Sequence, residues 1–246
     1  MSTEKKVEVL GYSERGIINS IVFFLREQPT HIQSFIRKLG VEDDFFNDDC
    51  QYTFLNEQSF SEFGNNDWTI IAEKNGEKRV IFIEGKVKTY GKNFWLKTNF
   101  EKLKNGQTFD GISSNIFVQL YYKYFLTKVL NEESINIEFS DLPDILKKNK
   151  GNSGKVARKT GNNGIVKKAI EKIKGADKYY YVAILPKTNP NELYDKFEEL
   201  NKTLLKNQRI NIEYVRQVFW GDVRDYFEDK SCDIKENFIY NEGQIY

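Results

Sequence analysis

The sequence predicts an α/β fold, a mixed central β-sheet flanked by helices on both faces. Three observations carry that prediction. Helical periodicity and strand-like apolar runs alternate along the chain. Two of those runs, 67–73 and 79–87, are joined through Asn75-Gly76, the strongest short signal for a two-residue hairpin turn, because both residues accept positive φ. The paired strands are apolar on both sides, which calls for cover on both faces.

Taken in order, residues 13–25 (SERGIINSIVFFL) read as a helix with Ser13 as N-cap, and 32–39 as a second short helix. Strands follow at 51–55, 67–73 and 79–87. A helix rich in aromatics, containing FVQLYYKYFL, runs over 112–130 and is expected to pack on the sheet. Beyond a polar stretch come a helix at 165–173, a strand at 179–185 closed by Pro186, a helix at 192–205, a strand at 210–220 and a last short helix at 222–227 with Asp222 as N-cap. This C-terminal strand and helix are read as an extension of the sheet.

Composition narrows the function. The 246 residues suffice for one well-buried core, and no interior stretch rich in Pro, Gly or Ser divides them, so a single domain over 1–246 is expected. Hydrophobic residues at 39% and charged residues at 30% describe a soluble globular chain. No apolar run approaches the roughly 20 residues of a membrane span, and the MSTEKK start lacks the apolar segment of a secretion signal; a cytoplasmic protein with no membrane partner is expected. Cys50 and Cys232 form no CxxC pattern and read as bystanders. His31 is the single histidine, so a Ser-His-Asp triad, a Cys-His pair or a multi-His zinc site would each hang on one residue that reads as a surface or capping position. Chemistry must therefore rest on carboxylates and lysines.

The hairpin specifies where. With Asn75 and Gly76 in the turn, Glu73 faces Lys78, Ile71 faces Val80 and Thr69 faces Phe82, while Ile70 with Ile81 and Trp68 with Ile83 form the other face. The same register sets Asp67 opposite Glu84. Directly opposed residues have Cβ atoms about 5 Å apart, and two like charges there destabilise the pair unless something neutralises them. A divalent cation would do so. Lys86 lies two residues past Glu84, on the same face of the strand. Oxygen ligands without Cys or His favour a hard ion, hence Mg²⁺, with Mn²⁺ as a substitute. The plainer alternative makes Asp67 and Glu84 solvated strand ends with Lys86 as their salt-bridge partner.

Asp67 followed by Glu84-Gly85-Lys86 resembles the PD-(D/E)XK nuclease superfamily, the fold of restriction endonucleases, whose core is a helix, a three-strand meander, a helix and a further strand. The order of elements over about residues 12–186 is similar. Asn66 stands where the family carries its proline. The resemblance implies metal-assisted phosphodiester hydrolysis, with Asp67, Glu84 and the Gly85 carbonyl holding Mg²⁺ and Lys86 orienting the attacking water or stabilising charge on the phosphate. It also implies a catalytic role for Glu14 near the metal; the alternative is an acidic first-turn residue favourable to the helix dipole. Gln119 matches the helical glutamine frequent in the superfamily, or is an outward-facing position. A QxxxY motif is absent, because Lys123 stands at the tyrosine position.

A nuclease must attract a polyanion, yet the net charge is only +1. The distribution matters more than the total. The segment 147–168 (KKNKGNSGKVARKTGNNGIVKK) carries Lys147, Lys148, Lys150, Lys155, Arg158 and Lys159 among its cations and no acid, and reads as a flexible basic loop contacting phosphates. The stretch KVKTYGKNFWLK directly after the acidic strand adds Lys88, Lys92 and Lys97 as backbone contacts. The expected partner is nucleic acid, double-stranded DNA foremost, and a homodimer would suit cleavage of both strands. The expected function is an Mg²⁺-dependent endonuclease of restriction or defence type. A catalytically silent nucleic-acid-binding or interaction module of the same fold is the alternative.

Overall fold

The computed structural model describes residues 9–88, 96–104, 115–131, 147–149 and 155–245. Its helices are α1 (Ser13–Glu27), α2 (Ile32–Lys38), α3 (Leu96–Lys104), α4 (Ile116–Asn131), α5 (Gly164–Ile173), α6 (Glu192–Thr203), α7 (Trp220–Phe227), α8 (Cys232–Tyr240) and α9 (Glu242–Ile245). Its strands are β1 (Gln51–Ser59), β2 (Asn65–Lys74), β3 (Glu77–Gly85), β4 (Lys147–Asn149), β5 (Lys155–Ala157), β6 (Lys178–Leu185) and β7 (Val215–Phe219).

Five strands form one mixed, open sheet in the order β1-β2-β3-β6-β7. The β1-β2-β3 meander is antiparallel, and β6 joins β3 in parallel, so β3 lies at the centre with Glu84 paired to Ala183 and Gly85 to Ile184. The predicted hairpin register is the observed one, from Lys74 with Glu77 to Trp68 with Ile83. Asn75 and Gly76 both adopt positive φ, 54° and 83°, as a two-residue turn with this twist requires.

Alternation along the strands divides the core into two layers. Ile71, Val80, Phe82, Tyr179, Tyr181 and Ala183 pack with α3, α4, α5 and α6. Trp68, Ile70, Ile81, Ile83, Tyr180 and Val182 pack on the opposite face with α1, α2, α7 and α8. Both faces are covered, which is why the central strands read as almost continuous apolar runs. Among the described residues no helix is long and apolar enough to cross a membrane.

Several boundaries differ from the sequence expectation, each for a local reason. Ser13 is not an N-cap. It begins α1, and its backbone N–H donates to Asn241 Oδ1 beyond α8 at 2.6 Å, so the cap comes from 228 positions away. The strand expected over 210–220 is only β7, because Asn211 caps a 3₁₀ turn at Ile212–Tyr214 by accepting from the Glu213 N–H. Asp222 lies inside the first turn of α7, which starts at Trp220. His31 closes a 3₁₀ turn and stacks on Phe24. The basic segment is not a continuous loop: Lys147–Asn149 and Lys155–Ala157 pair as an antiparallel ribbon, and α5 opens at Gly164 under an Asn163 cap.

Candidate active site

β2 and β3 bring the two acidic residues to the same end of the central hairpin. One step past the Trp68–Ile83 pair stand Asp67 and Glu84, and the Gly85 N–H donates to Asp67 Oδ2 at 2.8 Å. Asn66, fully buried at the position before Asp67, uses its amide to bind the Trp68 carbonyl and Thr69 Oγ1. That local fold-back fixes the backbone from which the Asp67 carboxylate projects.

Glu84 has no solvent exposure, and neither of its carboxylate oxygens has a hydrogen-bond partner among the described residues. Its one ion pair there is with Lys123, whose Nζ lies 3.5 Å from Oε1. Lys123 comes from the middle of α4 and is itself wholly buried; the same Nζ donates to the carbonyls of Phe63 at 3.0 Å and Asn65 at 2.8 Å. The Glu84 pKa is raised from 4.5 to about 8 in all: burial is the chief cause, opposed by the positive charges of Lys123 and Lys86 and assisted by the negative charge of Asp67. Burial also lowers the pKa of Lys123, against the attraction of Glu84 and Asp67.

Lys86 is buried just past the end of β3, where its N–H donates to the Ile184 carbonyl at 2.9 Å and its own carbonyl accepts from Trp220 Nε1 at 2.7 Å. Asp67, Glu84, Lys86 and Lys123 are thus electrostatic neighbours. Glu14 packs differently. Its Cβ lies against Gly85, on the layer formed by α1: a methyl group added at Gly85 would come to 3.1 Å from Glu14 Cβ, 3.3 Å from Ile18 Cδ1 and 3.0 Å from Trp220 Cζ2. A side chain there would press on all three, because the helix and the indole close directly onto the strand. Gln119 is half-buried on α4, one turn before Lys123, and its Oε1 is buried without a hydrogen-bond partner among the described residues.

Lys123 is the site residue that sequence reasoning did not assign. The signal was a single cation inside the apolar FVQLYYKYFL run, four residues after Gln119 and therefore on the same helix face. A charge in a buried helix implies a partner, although the helix sequence does not say which.

The expected nucleic-acid contacts fall in different settings. Lys88 follows the acidic strand, with its N–H on the Gln244 carbonyl. Lys92 and Lys150 lie outside the described residues, and the side chains of Lys147, Lys148 and Lys155 are likewise not described, although their backbones form the ribbon. Arg158 has structural work: Nη1 donates to the Glu62 carbonyl at 2.8 Å, and its guanidinium sits 4.4 Å from the centre of the Tyr122 ring. Lys159 is exposed, with its N–H held by the Glu62 carboxylate at 2.9 Å. Lys97, in the first turn of α3, is also exposed.

A hard divalent ion fits these residues. The supporting observation is the Glu84 carboxylate, buried, without a hydrogen-bond donor and beside a second carboxylate. Among the described residues no group of three or more His, Cys, Asp and Glu side chains gathers to hold a metal. Comparison with known proteins returns no match: no family model, no curated protein and no solved structure is detectably similar to the chain.

Proposed function

We propose that this chain is a magnesium-dependent endonuclease with a restriction endonuclease-like core, acting on DNA. The observation that carries the reading is the Asp67–Glu84 pair at the end of the central hairpin, with the Glu84 oxygens lacking hydrogen-bond donors and Lys86 two residues beyond. Asp67, Glu84 and the Gly85 carbonyl would hold Mg²⁺, with Mn²⁺ as a substitute. When bound, the ion supplies Lewis-acid activation of the phosphate and a water of lowered pKa.

The chain's own residues do the positioning. Asp67 is aimed by the Gly85 N–H, and Glu84 is held by Lys123. Lys86, its backbone fixed by β6 and Trp220, would set its ammonium near the carboxylates, to stabilise charge developing on a phosphate oxygen or hold the attacking water. The cations of 147–159 would attract the DNA backbone, and a homodimer would suit a double-strand cut.

Incubating the purified protein with plasmid, linear and single-stranded DNA and with RNA, with Mg²⁺ or EDTA, tests the reading beside Asp67→Ala, Glu84→Ala and Lys86→Ala. The expected result is metal-dependent DNA cleavage, lost in each folded variant. Full activity in all three would overturn it. Salt-sensitive binding without cleavage of any substrate would favour a silent nucleic-acid-binding module.

A further inference from the structure

The Lys123 ammonium occupies a cradle of three oxygens: the Phe63 carbonyl at 3.0 Å, the Asn65 carbonyl at 2.8 Å and Glu84 Oε1 at 3.5 Å. Two carbonyls and a carboxylate are the donors that a hard metal ion selects. They converge here because Gly64, at φ 78°, turns the chain between the 3₁₀ segment Ser61–Phe63 and β2 so that the carbonyls on either side of it reach one point. That point is filled by a side chain delivered from the opposing helix, with no solvent exposure at either end of the ion pair.

The charge count agrees. With Glu84 ionised, as metal binding requires, Asp67 and Glu84 bring two negative charges and Lys86 and Lys123 two positive ones into one neighbourhood. One divalent ion makes this neighbourhood doubly positive, as befits a site for a phosphodiester; a second would raise the excess to four charges in a low-dielectric setting. Glu14, the further acid expected near the metal, has its Cβ against Gly85 on the α1 side of the sheet.

We propose that Lys123 is a permanent stand-in for a second metal ion, so that the site works with a single divalent cation and a fixed ammonium in the place where a two-metal site would hold its partner. Lys123 is then a positioning residue: it fixes Glu84 relative to the start of β2 and blocks a second ion from the carbonyl cradle. The proposal rests on the metal-dependent reading above.

The test is the stoichiometry of Mn²⁺ binding, followed by the loss of the free Mn²⁺ paramagnetic resonance signal during titration of the whole chain without DNA. The native protein is expected to bind one ion. Lys123→Ala, which empties the cradle and leaves its three oxygens, is expected to double the bound Mn²⁺, with dipolar broadening from a neighbouring ion. Lys123→Met, which fills the same space without charge, is expected to stay at one. Two ions in the native protein, or one ion in a folded Lys123→Ala, would overturn the inference while leaving the nuclease reading intact. No bound ion in the native protein would remove both. If Lys123→Ala fails to fold, the native stoichiometry still decides.

Discussion

Trp220 donates its indole N–H to the backbone carbonyl of Lys86 over 2.7 Å, tying the first residue of α7 to the residue expected to act on the phosphate. Replacing Trp220 with Phe keeps most of the buried ring and removes that donor. A loss of about 0.5–1.5 kcal/mol in urea denaturation is expected for the hydrogen bond. In the nuclease reading, kcat should fall while Mn²⁺ affinity stays, since the ligands Asp67 and Glu84 are untouched. Unchanged stability and kcat would show that Lys86 needs no such tether.

The buried Glu84–Lys123 pair predicts strong non-additivity. Where Glu84 is ionised, above about pH 8, removing one partner leaves an uncompensated buried charge, so there Lys123→Met should destabilise the metal-free protein by about 3–5 kcal/mol. Glu84→Leu combined with Lys123→Met should recover much of that loss. A double-mutant cycle measured in EDTA checks it; simple addition of the two single effects would mean that the ammonium and carboxylate do not sense each other.

A pH dependence follows from the raised pKa of Glu84, about 8 against an ordinary 4.5. Between those values the folded chain holds a proton that the unfolded chain has lost, so on this group's account stability falls as pH rises through the interval. Burial of Lys123 works the other way, making the folded chain the weaker proton binder as pH approaches the ordinary lysine value of 10.5. For metal binding the sign is simpler. A bound ion must displace the Glu84 proton below about pH 8, so apparent affinity should climb about tenfold per unit up to that point and then level off. Calorimetric titration in buffers of different ionisation heat should register about one proton released per ion near pH 7. An affinity flat between about pH 6 and 9 would contradict this assignment.

The basic segment should separate into binding and structural cations. Neutralising Lys147, Lys148, Lys155 and Lys159 to Gln should lower the salt slope of DNA binding by about 0.9 for each phosphate that is no longer neutralised. Arg158→Ala should instead cost about 1 kcal/mol or more of stability, since it removes the bond to the Glu62 carbonyl and the packing on Tyr122. Binding isotherms at several salt concentrations, beside thermal melts, distinguish the two groups.

The parts legible in the sequence were those set by short-range rules. Asn75-Gly76 fixed the turn, and counting outward from it fixed the register up to Trp68–Ile83, one step short of Asp67 and Glu84. What escaped depends on partners far away in the chain. Lys123 reads as an anomaly in a helix until Phe63, Asn65 and Glu84 are seen around it. Ser13 has the chemistry of a cap, but Asn241 takes that role from the end of α8. Gly and Asn between the lysines of 147–159 suggested a loop by composition, while Lys148 and Val156 face each other across a ribbon. In each case local preference named the residue's options and a distant partner selected one.

The Asn237 and Asn241 side chains, in α8 and at its end, grip the backbone at Val9, Gly11 and Ser13, closing spans of 226 to 230 positions. Closures of that length come late in folding, after the hairpin and the helices have formed from nearer neighbours. The segment leading into the helix that bears Glu14 is therefore tied down only once α8 is available. During synthesis the acidic hairpin emerges well before α8, so a nascent chain carries the ingredients of the site while the tie on the lead into α1 awaits emergence of α8 from the ribosome.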